Sequence, residues 1–413
     1  MGIDRSLALS TASGIADLLC RAAFFHNGRC NWCGSVLEGG EESGIRTSYQ
    51  TLGPDLYGGT SGIALFLGES FLRVGDARFL TTAEAAISGA IDRVDTIYRG
   101  SRFGFYTGTL GVAYAAVQLG HVLGRPDLIS RARNIMTRLI ADLDPPFLLD
   151  VIGGTAGAIP VLLKLEVALE MPELRHCAQQ FGEAIMAAAS KGTKGWSWGE
   201  KAGGIESPRD LTGFAHGAAG IGWSLLELYR TTSQAEFLDG ALEAFRYENR
   251  WFQPSRDNWP DFRWDDGVEE PAPCMVAWCH GAVGIGLARL AALSVGDEPW
   301  VRRDAEAAVR ASKQVLTDPD VPPDLDFCLC HGQSGTAAFL LRAGEVLHDE
   351  EARDLALTAA ASSAARFAEA PHAWPVGLRR GTTPSLMTGL AGIGYFYLGL
   401  ADPSLPSVLL FQS

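Results

Sequence analysis

The chain has 413 residues, of which 47% are hydrophobic, so it carries enough apolar material for a large buried core. Its formal net charge of −14 argues against a nucleic-acid partner, because such partners are bound by basic surfaces. No apolar stretch approaches the ~20 residues of a membrane-spanning helix, and the first residues lack the pattern of a signal peptide. The eight cysteines are therefore expected to be free thiols of a cytoplasmic protein rather than disulfides.

A Gly-x-x-Gly motif recurs seven times, with its first glycine at positions 59, 108, 154, 217, 281, 332 and 389. Each motif is followed by an apolar segment, which is typical of a buried helix. Each is preceded by a longer segment with charges at helical spacing, such as 76–94, 126–140 and 350–367. With 6–24 as the first outer helix and 390–400 as the last inner one, the repeated unit is outer helix, loop, glycine motif, inner helix. It predicts an all-α fold, an α/α toroid of seven helix pairs in which residues 1–413 form one domain.

The glycines also predict where the functional residues meet. Glycine allows close approach of backbones where the inner helices converge, so all seven motifs are expected at one end of the barrel. Two longer connections, 193–212 and 252–274, are rich in Gly, Pro, Trp and charge and lead into the fourth and fifth motifs. They are interpreted as walls of a substrate cleft, with capping of the barrel end as the alternative.

Cysteine and histidine precede the glycine in two consecutive motifs, W-C-H-G (278–281) and L-C-H-G (329–332). Cys279, Cys330 and His331 together form the Cys₂His set of a zinc site that keeps one position open. Zinc deprotonates a bound thiol, so such a site suits the activation of an incoming thiol as a nucleophile. The alternative is a pair of buried cysteines beside tight turns. His280 competes with His331 as the third ligand, and spacing alone does not separate them.

Two further residues are candidates for acid–base chemistry. His216 precedes the glycine of the fourth motif, F-A-H-G, and its ordinary pKa of ~6.5 suits a general acid or base at neutral pH. Asp150 stands just before V-I-G-G in the third motif and could orient His216. The alternatives are a histidine hydrogen-bonded within the rim and a solvated or helix-capping aspartate. The pair Cys30 and Cys33 is interpreted as structural, because no second pair accompanies it.

Three segments in this order, G-F-A-H-G-A-A-G, W-C-H-G-A-V-G and L-C-H-G-Q-S-G, resemble the signature of the lanthionine cyclases, or LanC-like proteins. The resemblance covers essentially the whole chain. The segments R-C-N-W, N-W-P-D-F-R and L-P-S-V-L-L-F are closer to the cyclase half of class II lanthipeptide synthetases (LanM). The resemblance implies an α/α barrel with one catalytic zinc. It also implies addition of a precursor-peptide cysteine to dehydroalanine or dehydrobutyrine, which closes a thioether ring.

The resemblance also assigns roles to individual positions. Carried over by motif, it implies that zinc is held by Cys279, Cys330 and His331. His216 would be the acid–base residue, with Asp150 as the carboxylate near it. Because the residue after the first ligand cysteine is not a ligand in the family, His280 is left as a candidate substrate contact.

The sequence departs from the family pattern in two respects. Class I cyclases have tyrosine and arginine where this chain has His280 and Met275, so the roles of those two residues are not carried over. A class II synthetase also has a large dehydratase region before the cyclase, and this chain has no such region or kinase domain. We therefore expect a separate cyclase or an excised domain that receives its peptide from another protein, a dehydratase or a kinase/lyase.

The sequence thus predicts a zinc-dependent lanthipeptide cyclase that acts on a dehydrated precursor peptide. One alternative is a LanC-like protein that adds glutathione to dehydroamino acids. Another is a non-catalytic, zinc-containing barrel that binds peptides, and a fourth protein ligand such as His280 or Cys328 would favour it.

Overall fold

The computed structural model describes residues 3–38, 46–144, 147–199, 204, 207–264, 272–318, 326–377 and 381–410. Its helices form two concentric layers. The outer layer consists of α1 (Arg5–Ala22), α3 (Ala77–Asp92), α5 (Pro126–Ile140), α7 (Glu173–Ala188), α9 (Ala235–Asn249), α11 (Pro299–Thr317) and α13 (Glu350–Phe367). The inner layer consists of α2 (Thr60–Val74), α4 (Thr109–Val122), α6 (Thr155–Leu169), α8 (Ala218–Thr232), α10 (Ala282–Leu293), α12 (Gln333–Leu347) and α14 (Leu390–Ala401). Every inner helix begins at the residue after the first glycine of a motif, as the repeats predict.

The helices close into a ring. Each inner helix contacts the next one, and the circle is completed where α14 meets α2. Each inner helix also packs against the outer helix that follows it in sequence, while α1 packs chiefly against α14. The predicted α/α toroid of seven helix pairs is therefore confirmed.

The pairing within the toroid differs from the predicted unit, which joins each outer helix to the inner helix after it. The closest partners are instead an inner helix and the outer helix after it. The reason is the length of the connections. Only residues 75–76 separate α2 from α3, and a short connection makes antiparallel neighbours. The glycine motifs lie in the longer connections between one pair and the next.

The seven motifs meet in a closed ring of backbone hydrogen bonds. In each repeat the residue two positions before the first glycine, here called the ring residue, donates its N–H to the carbonyl of the ring residue in the next repeat. The N···O distances lie between 2.8 and 3.4 Å. The ring residues of repeats 1 to 7 are Tyr57, Tyr106, Ile152, Ala215, Cys279, Cys330 and Met387. The bond from Met387 N to Tyr57 O, 3.0 Å long, closes the circle.

The second glycine of each motif allows the chain to turn tightly below this ring. A Cβ added to Gly157 would lie 2.0 Å from the carbonyl oxygen of Val151, and one added to Gly284 would lie 2.0 Å from that of Trp278. Both neighbours are backbone atoms that cannot move aside without breaking the turn. The motif therefore requires glycine for close backbone approach within its own turn, whereas the sequence analysis expects that approach between converging helices.

Peripheral segments complete the molecule. Within the described residues, three antiparallel hairpins are formed by β1 (Phe24–His26) with β2 (Arg29–Asn31), β3 (Cys33–Glu38) with β4 (Arg46–Thr51), and β5 (Ser190–Gly192) with β6 (Gly195–Ser197).

The segment 405–410 enters the barrel below the ring. There the Tyr106 hydroxyl donates to Val408 O at 2.8 Å, and Trp278 Nε1 donates to Leu409 O at 3.2 Å. No helix in the described part of the chain is long and apolar enough to cross a membrane.

We expect Gly157→Ala to lower the free energy of unfolding by about 1–3 kcal/mol, because the new methyl group collides with a backbone carbonyl. Gly399→Ala in α14 is the matched control, since an added Cβ there meets nothing within 4 Å. Its expected effect is zero or a gain of up to about 1 kcal/mol from helix propensity. Urea unfolding of both variants tests the prediction, and equal stabilities would contradict it.

Candidate active site

Three metal-ligating donors converge at two neighbouring ring residues. Cys279 and Cys330 are the ring residues of repeats 5 and 6, and His331 follows directly after the second. One donor atom from each residue lies within 4.8 Å of the other two. Both cysteines are buried and His331 is half-buried. Two sulfurs and one imidazole nitrogen are the donor set of an open zinc site, so these residues fit the ion that the sequence predicts.

The electrostatics of the two sulfurs also favour a cation between them. The neighbouring Cys330 thiol and burial raise the pKa of Cys279 well above its usual value. Without a positive charge, Cys279 therefore stays protonated at neutral pH. A divalent cation at the centre of the donor set would hold both residues as thiolates.

The orientation of His331 is set by two acceptors behind it. Its Nε2 lies 2.9 Å from the carbonyl oxygen of Gly377 and 3.2 Å from Asp326 Oδ2. Since both partners are acceptors, this assigns the ring proton to Nε2 and leaves Nδ1 with the lone pair for a metal. A side chain at position 377 would obstruct this contact, because a Cβ added to Gly377 would lie only 2.7 Å from His331 Nε2.

A second group of donors, Asp326, Cys328 and His331, also lies within 4.8 Å of one another. Its members are already paired by hydrogen bonds. The Cys328 thiol lies 3.4 Å from Asp326 Oδ2, and Asp326 Oδ1 accepts the Cys328 N–H at 2.7 Å. This group therefore forms a hydrogen-bonded frame behind His331. Among the described residues, neither Cys328 nor His280 joins the Cys279, Cys330 and His331 set, which therefore offers three protein donors to the predicted ion.

His216 and Asp150 are in direct contact, one repeat away from Cys279. His216 Nδ1 lies 2.5 Å from Asp150 Oδ2, and the two side chains are 19% and 2% exposed. The other carboxylate oxygen, Oδ1, accepts the N–H of Gly153 at 3.0 Å. Asp150 therefore both stabilises its own turn and orients the histidine. Asp55, at the equivalent position of repeat 1, forms the same turn bond to Gly58 at 2.8 Å.

His280 lies against His216, with ring centroids 5.9 Å apart and an interplanar angle of 30°. It follows the ring residue of repeat 5 as His216 follows that of repeat 4. Its side chain is fully buried, and Nδ1 is 3.6 Å from Asp261 Oδ1, which is longer than a hydrogen bond. Burial lowers the pKa of His280 to about 3, and Arg263 acts in the same direction, so its ring is neutral at physiological pH. A contact between His280 and substrate stays a prediction.

A cation lies beside the donor set. Arg263 forms two hydrogen bonds to Asp261, of 3.0 and 2.8 Å, and its Nη2 lies 3.5 Å from Met275 Sδ. Burial alone would lower the pKa of Arg263, but the Asp261 carboxylate and the sulfurs of Cys279 and Cys330 raise it. The net effect is a raised pKa. This half-buried guanidinium therefore stays charged near the two sulfurs.

The two long connections meet at this side of the ring. The Ser207 hydroxyl donates to Phe262 O at 2.9 Å, and the Arg209 guanidinium lies 5.4 Å from the centre of the Phe262 ring. Residues 200–203, 205, 206 and 265–271 of these connections lie outside the described residues. The interpretation of both connections as walls of a substrate cleft stays a prediction.

A buried ion-pair network supports the loop that carries His216. Glu248 Oε1 accepts the backbone N–H groups of Gly213 at 2.8 Å and Ala219 at 3.0 Å. Its other oxygen, Oε2, bonds to Arg289 at 3.0 Å, and Arg289 also bonds to Asp304 at 3.1 Å. Because Glu248 and Arg289 are fully buried, these groups fix the loop firmly on α9 and α10.

Sequence reasoning did not identify three side chains at this site. They are Tyr57, whose hydroxyl lies 3.0 Å from Cys330 Sγ, Asp326 and Arg263. The only signal for Arg263 is the segment N-W-P-D-F-R, which contributes to the family resemblance but implies no role for the arginine. Tyr57 and Asp326 have no signal of their own in a single sequence.

Comparison with known proteins identifies the family. The family model described as lanthionine synthetase C-like protein matches residues 50–410, which is most of the chain. This chain therefore belongs to the lanthionine synthetase C-like family, and the predicted family is confirmed.

Two known proteins illustrate the relationship. The chain is 25% identical over 303 residues to the lacticin 481/lactococcin biosynthesis protein LcnDR2 of Lactococcus lactis subsp. lactis. That match covers 71% of this chain but only 30% of the relative's length. Nisin cyclase has a similar structure, with a TM-score of 0.66, 16% identity and coverage of 86% of this chain and 92% of nisin cyclase. The similarity to nisin cyclase supports the toroid fold.

We expect Asp326→Ala to weaken zinc binding about 10- to 100-fold, because His331 loses an acceptor that holds its ring in place. Asp326→Asn keeps an oxygen acceptor of the same shape and should lose less. Competition with a chromogenic chelator measures the apparent affinity of each variant. An Asp326→Ala protein that binds zinc as tightly as the unchanged chain would rule out this role.

Proposed function

We propose that this chain is a lanthipeptide cyclase that acts as one domain over residues 1–413. It would add cysteine thiols of a dehydrated precursor peptide to dehydroalanine or dehydrobutyrine residues of the same peptide. The observation that carries the proposal is the convergence of the Cys279, Cys330 and His331 donors one repeat from the His216–Asp150 pair. Membership of the lanthionine synthetase C-like family and the similarity to LcnDR2 support the same reaction.

The metal in the proposal is zinc, one ion per chain, held by Cys279, Cys330 and His331. Bound there, zinc would act as a Lewis acid and keep the substrate cysteine in its thiolate form at neutral pH. The donor set supports this assignment, because thiolate and imidazole ligands with one open position are typical of catalytic zinc.

His216 is the proposed proton donor. When the substrate thiolate bonds to the β-carbon of the dehydroamino acid, the π-electron pair moves toward the α-carbon and its carbonyl, and the α-carbon then needs a proton. Asp150 accepts a hydrogen bond from Nδ1 of His216. The other ring nitrogen, Nε2, therefore faces away from the carboxylate and can deliver a proton to the substrate. The side chain of His216 is 19% exposed, so the histidine is not sealed off from a bound peptide.

Arg263 is proposed to stabilise the charge that develops during the addition. The electron pair that leaves the double bond gives an enolate oxygen, and a fixed cation lowers the energy of such a charge. Asp261 holds the guanidinium by two hydrogen bonds, so its position is set before the peptide binds. The peptide itself would come from a separate protein that dehydrates serine and threonine.

Elemental analysis tests the metal directly. We expect close to one zinc per chain in the unchanged protein and loss of most of it in Cys330→Ala, which removes one of the three donors. A folded, monodisperse protein that binds no zinc would contradict the thiol-activation mechanism. It would favour a barrel that binds peptides without catalysis.

We expect His216→Ala to slow ring formation about 10²- to 10⁴-fold while the zinc content is unchanged, because the α-carbon loses its proton donor. Asp150→Asn keeps the turn bond to Gly153 but removes the carboxylate from His216, so it should also be slow. Asp55→Asn is the matched control, because this residue forms the same turn without a histidine partner, and its rate should be normal.

The assay uses a dehydrated cysteine-containing peptide. Thiols that remain after each interval are alkylated and counted by mass spectrometry, since ring closure itself does not change the mass. Glutathione is present in a parallel reaction. Preferential addition of glutathione over ring closure would favour the glutathione-adding alternative.

A further inference from the structure

Tyr57 contacts the donor set from two positions away around the ring. It is the ring residue of repeat 1, and its hydroxyl donates a hydrogen bond to Cys330 Sγ at 3.0 Å. One repeat, with ring residue Met387, separates the two positions around the circle. The tyrosine is therefore directed at a metal-ligating sulfur without being a ligand itself.

The position of Tyr57 is fixed on three sides. Its N–H donates to Tyr106 O at 2.8 Å, and its own carbonyl accepts the N–H of Met387 at 3.0 Å. Its aromatic ring packs edge-on against that of Tyr106, with centroids 6.3 Å apart and an interplanar angle of 82°. Because backbone and ring are both held, the hydroxyl is preorganised toward Cys330 rather than free to rotate away.

The chemistry of the site gives this bond a consequence. The proposed reaction places an electrophilic double bond beside three thiolates, one from the substrate and two from the protein. If Cys330 reacted instead of the substrate, its sulfur would bond to the β-carbon. The π pair would move to the α-carbon, which would take a proton from solvent. The resulting thioether carries no negative charge, so the metal would lose a ligand.

We propose that Tyr57 suppresses this self-alkylation by engaging a lone pair of the Cys330 thiolate. A hydrogen bond to a thiolate draws negative charge from the sulfur and lowers its reactivity toward carbon, and hydrogen bonds to sulfur ligands tune metal sites in the same way. A substrate thiolate that lacks such a hydrogen bond would stay the more reactive sulfur. The proposal rests on the proposed function, since it assigns Tyr57 a selectivity role at the same site. Tyr57 is thus a positioning residue that acts through Cys330.

Tyr106 provides a matched control within the same ring. It is the ring residue of repeat 2, and its hydroxyl donates to Val408 O at 2.8 Å, below the ring. Tyr57→Phe and Tyr106→Phe therefore each remove one tyrosine hydroxyl from equivalent positions. Only the first change removes a bond to Cys330.

The experiment measures the reactivity of each protein cysteine in the zinc-loaded, full-length chain. Unchanged protein, Tyr57→Phe and Tyr106→Phe are exposed to N-ethylmaleimide, a thiol-reactive alkene that models the acceptor. After quenching, alkylation of Cys330 and Cys279 is mapped by mass spectrometry. We expect Cys330 to react about tenfold faster in Tyr57→Phe, the rate change that one charge-assisted hydrogen bond can produce. Cys279 in that variant and both cysteines in Tyr106→Phe should react at the unchanged rates.

Cobalt substitution gives a second readout that a loss of packing alone would not produce. Loss of the hydrogen bond makes the Cys330 thiolate a better electron donor, so the sulfur-to-cobalt charge-transfer band should move to lower energy in Tyr57→Phe. It should stay in place in Tyr106→Phe.

The outcomes separate this proposal from the proposed function. Unchanged Cys330 reactivity and an unchanged cobalt spectrum in a metal-loaded Tyr57→Phe protein would overturn the role of Tyr57 alone. Equal acceleration in both tyrosine variants would also overturn it, because the cause would then be general loosening of the ring. If the protein without any substitution binds neither zinc nor cobalt, the proposed function and the role of Tyr57 are both overturned.

Discussion

The closed ring of backbone hydrogen bonds is the constraint on which the rest of the structure depends. Seven polar loops converge at one end of a hydrophobic barrel, and a buried N–H or C=O without a partner would be costly there. Each ring residue satisfies this requirement through its neighbour, so its side chain is not needed for that purpose. The backbone thereby fixes the distance between Cys279 and Cys330, whatever the helices outside the ring contain. The proposed metal-ligand pair would be one use of two adjacent positions on this frame.

The polar residues around the ring divide their work between structure and chemistry. Asp150 uses one oxygen for its turn and the other for His216, whereas Asp55 has only the turn bond among the hydrogen bonds described above. Asp261 holds Arg263, and Glu248 holds the loop of His216 through two backbone N–H groups. In each case a largely or fully buried carboxylate fixes another group of the candidate site. Several hydrogen bonds at once offset the cost of removing that carboxylate from water.

The sequence predicts the toroid, and the convergence of its glycine motifs at one end, because repetition carries the information. Equivalent glycines give equivalent turns, so Cys279 and Cys330 had to be neighbours although they belong to different helix pairs. Residues outside that equivalence are harder to find. In the sequence, Tyr57 is indistinguishable from other core aromatic residues. Arg263 interacts electrostatically with Cys279 and Cys330 from an irregular segment whose path no local pattern predicts. The partner of α1 was also missed, since the identity of a helix's closest neighbour depends on connection length and ring closure rather than on the amphipathic pattern.

The packing of α1 against α14 makes the toroid differ from an open solenoid of the same repeats. In an open array each repeat gains stability from the one before it, and partial arrays are stable species. Here the other six pairs join neighbouring segments, whereas α14 packs against α1, so the seventh pair forms only when these two distant helices meet. This long-range pair therefore couples the two ends of the repeat array. A circular permutant that joined the two ends and opened another outer connection would have the same set of neighbours.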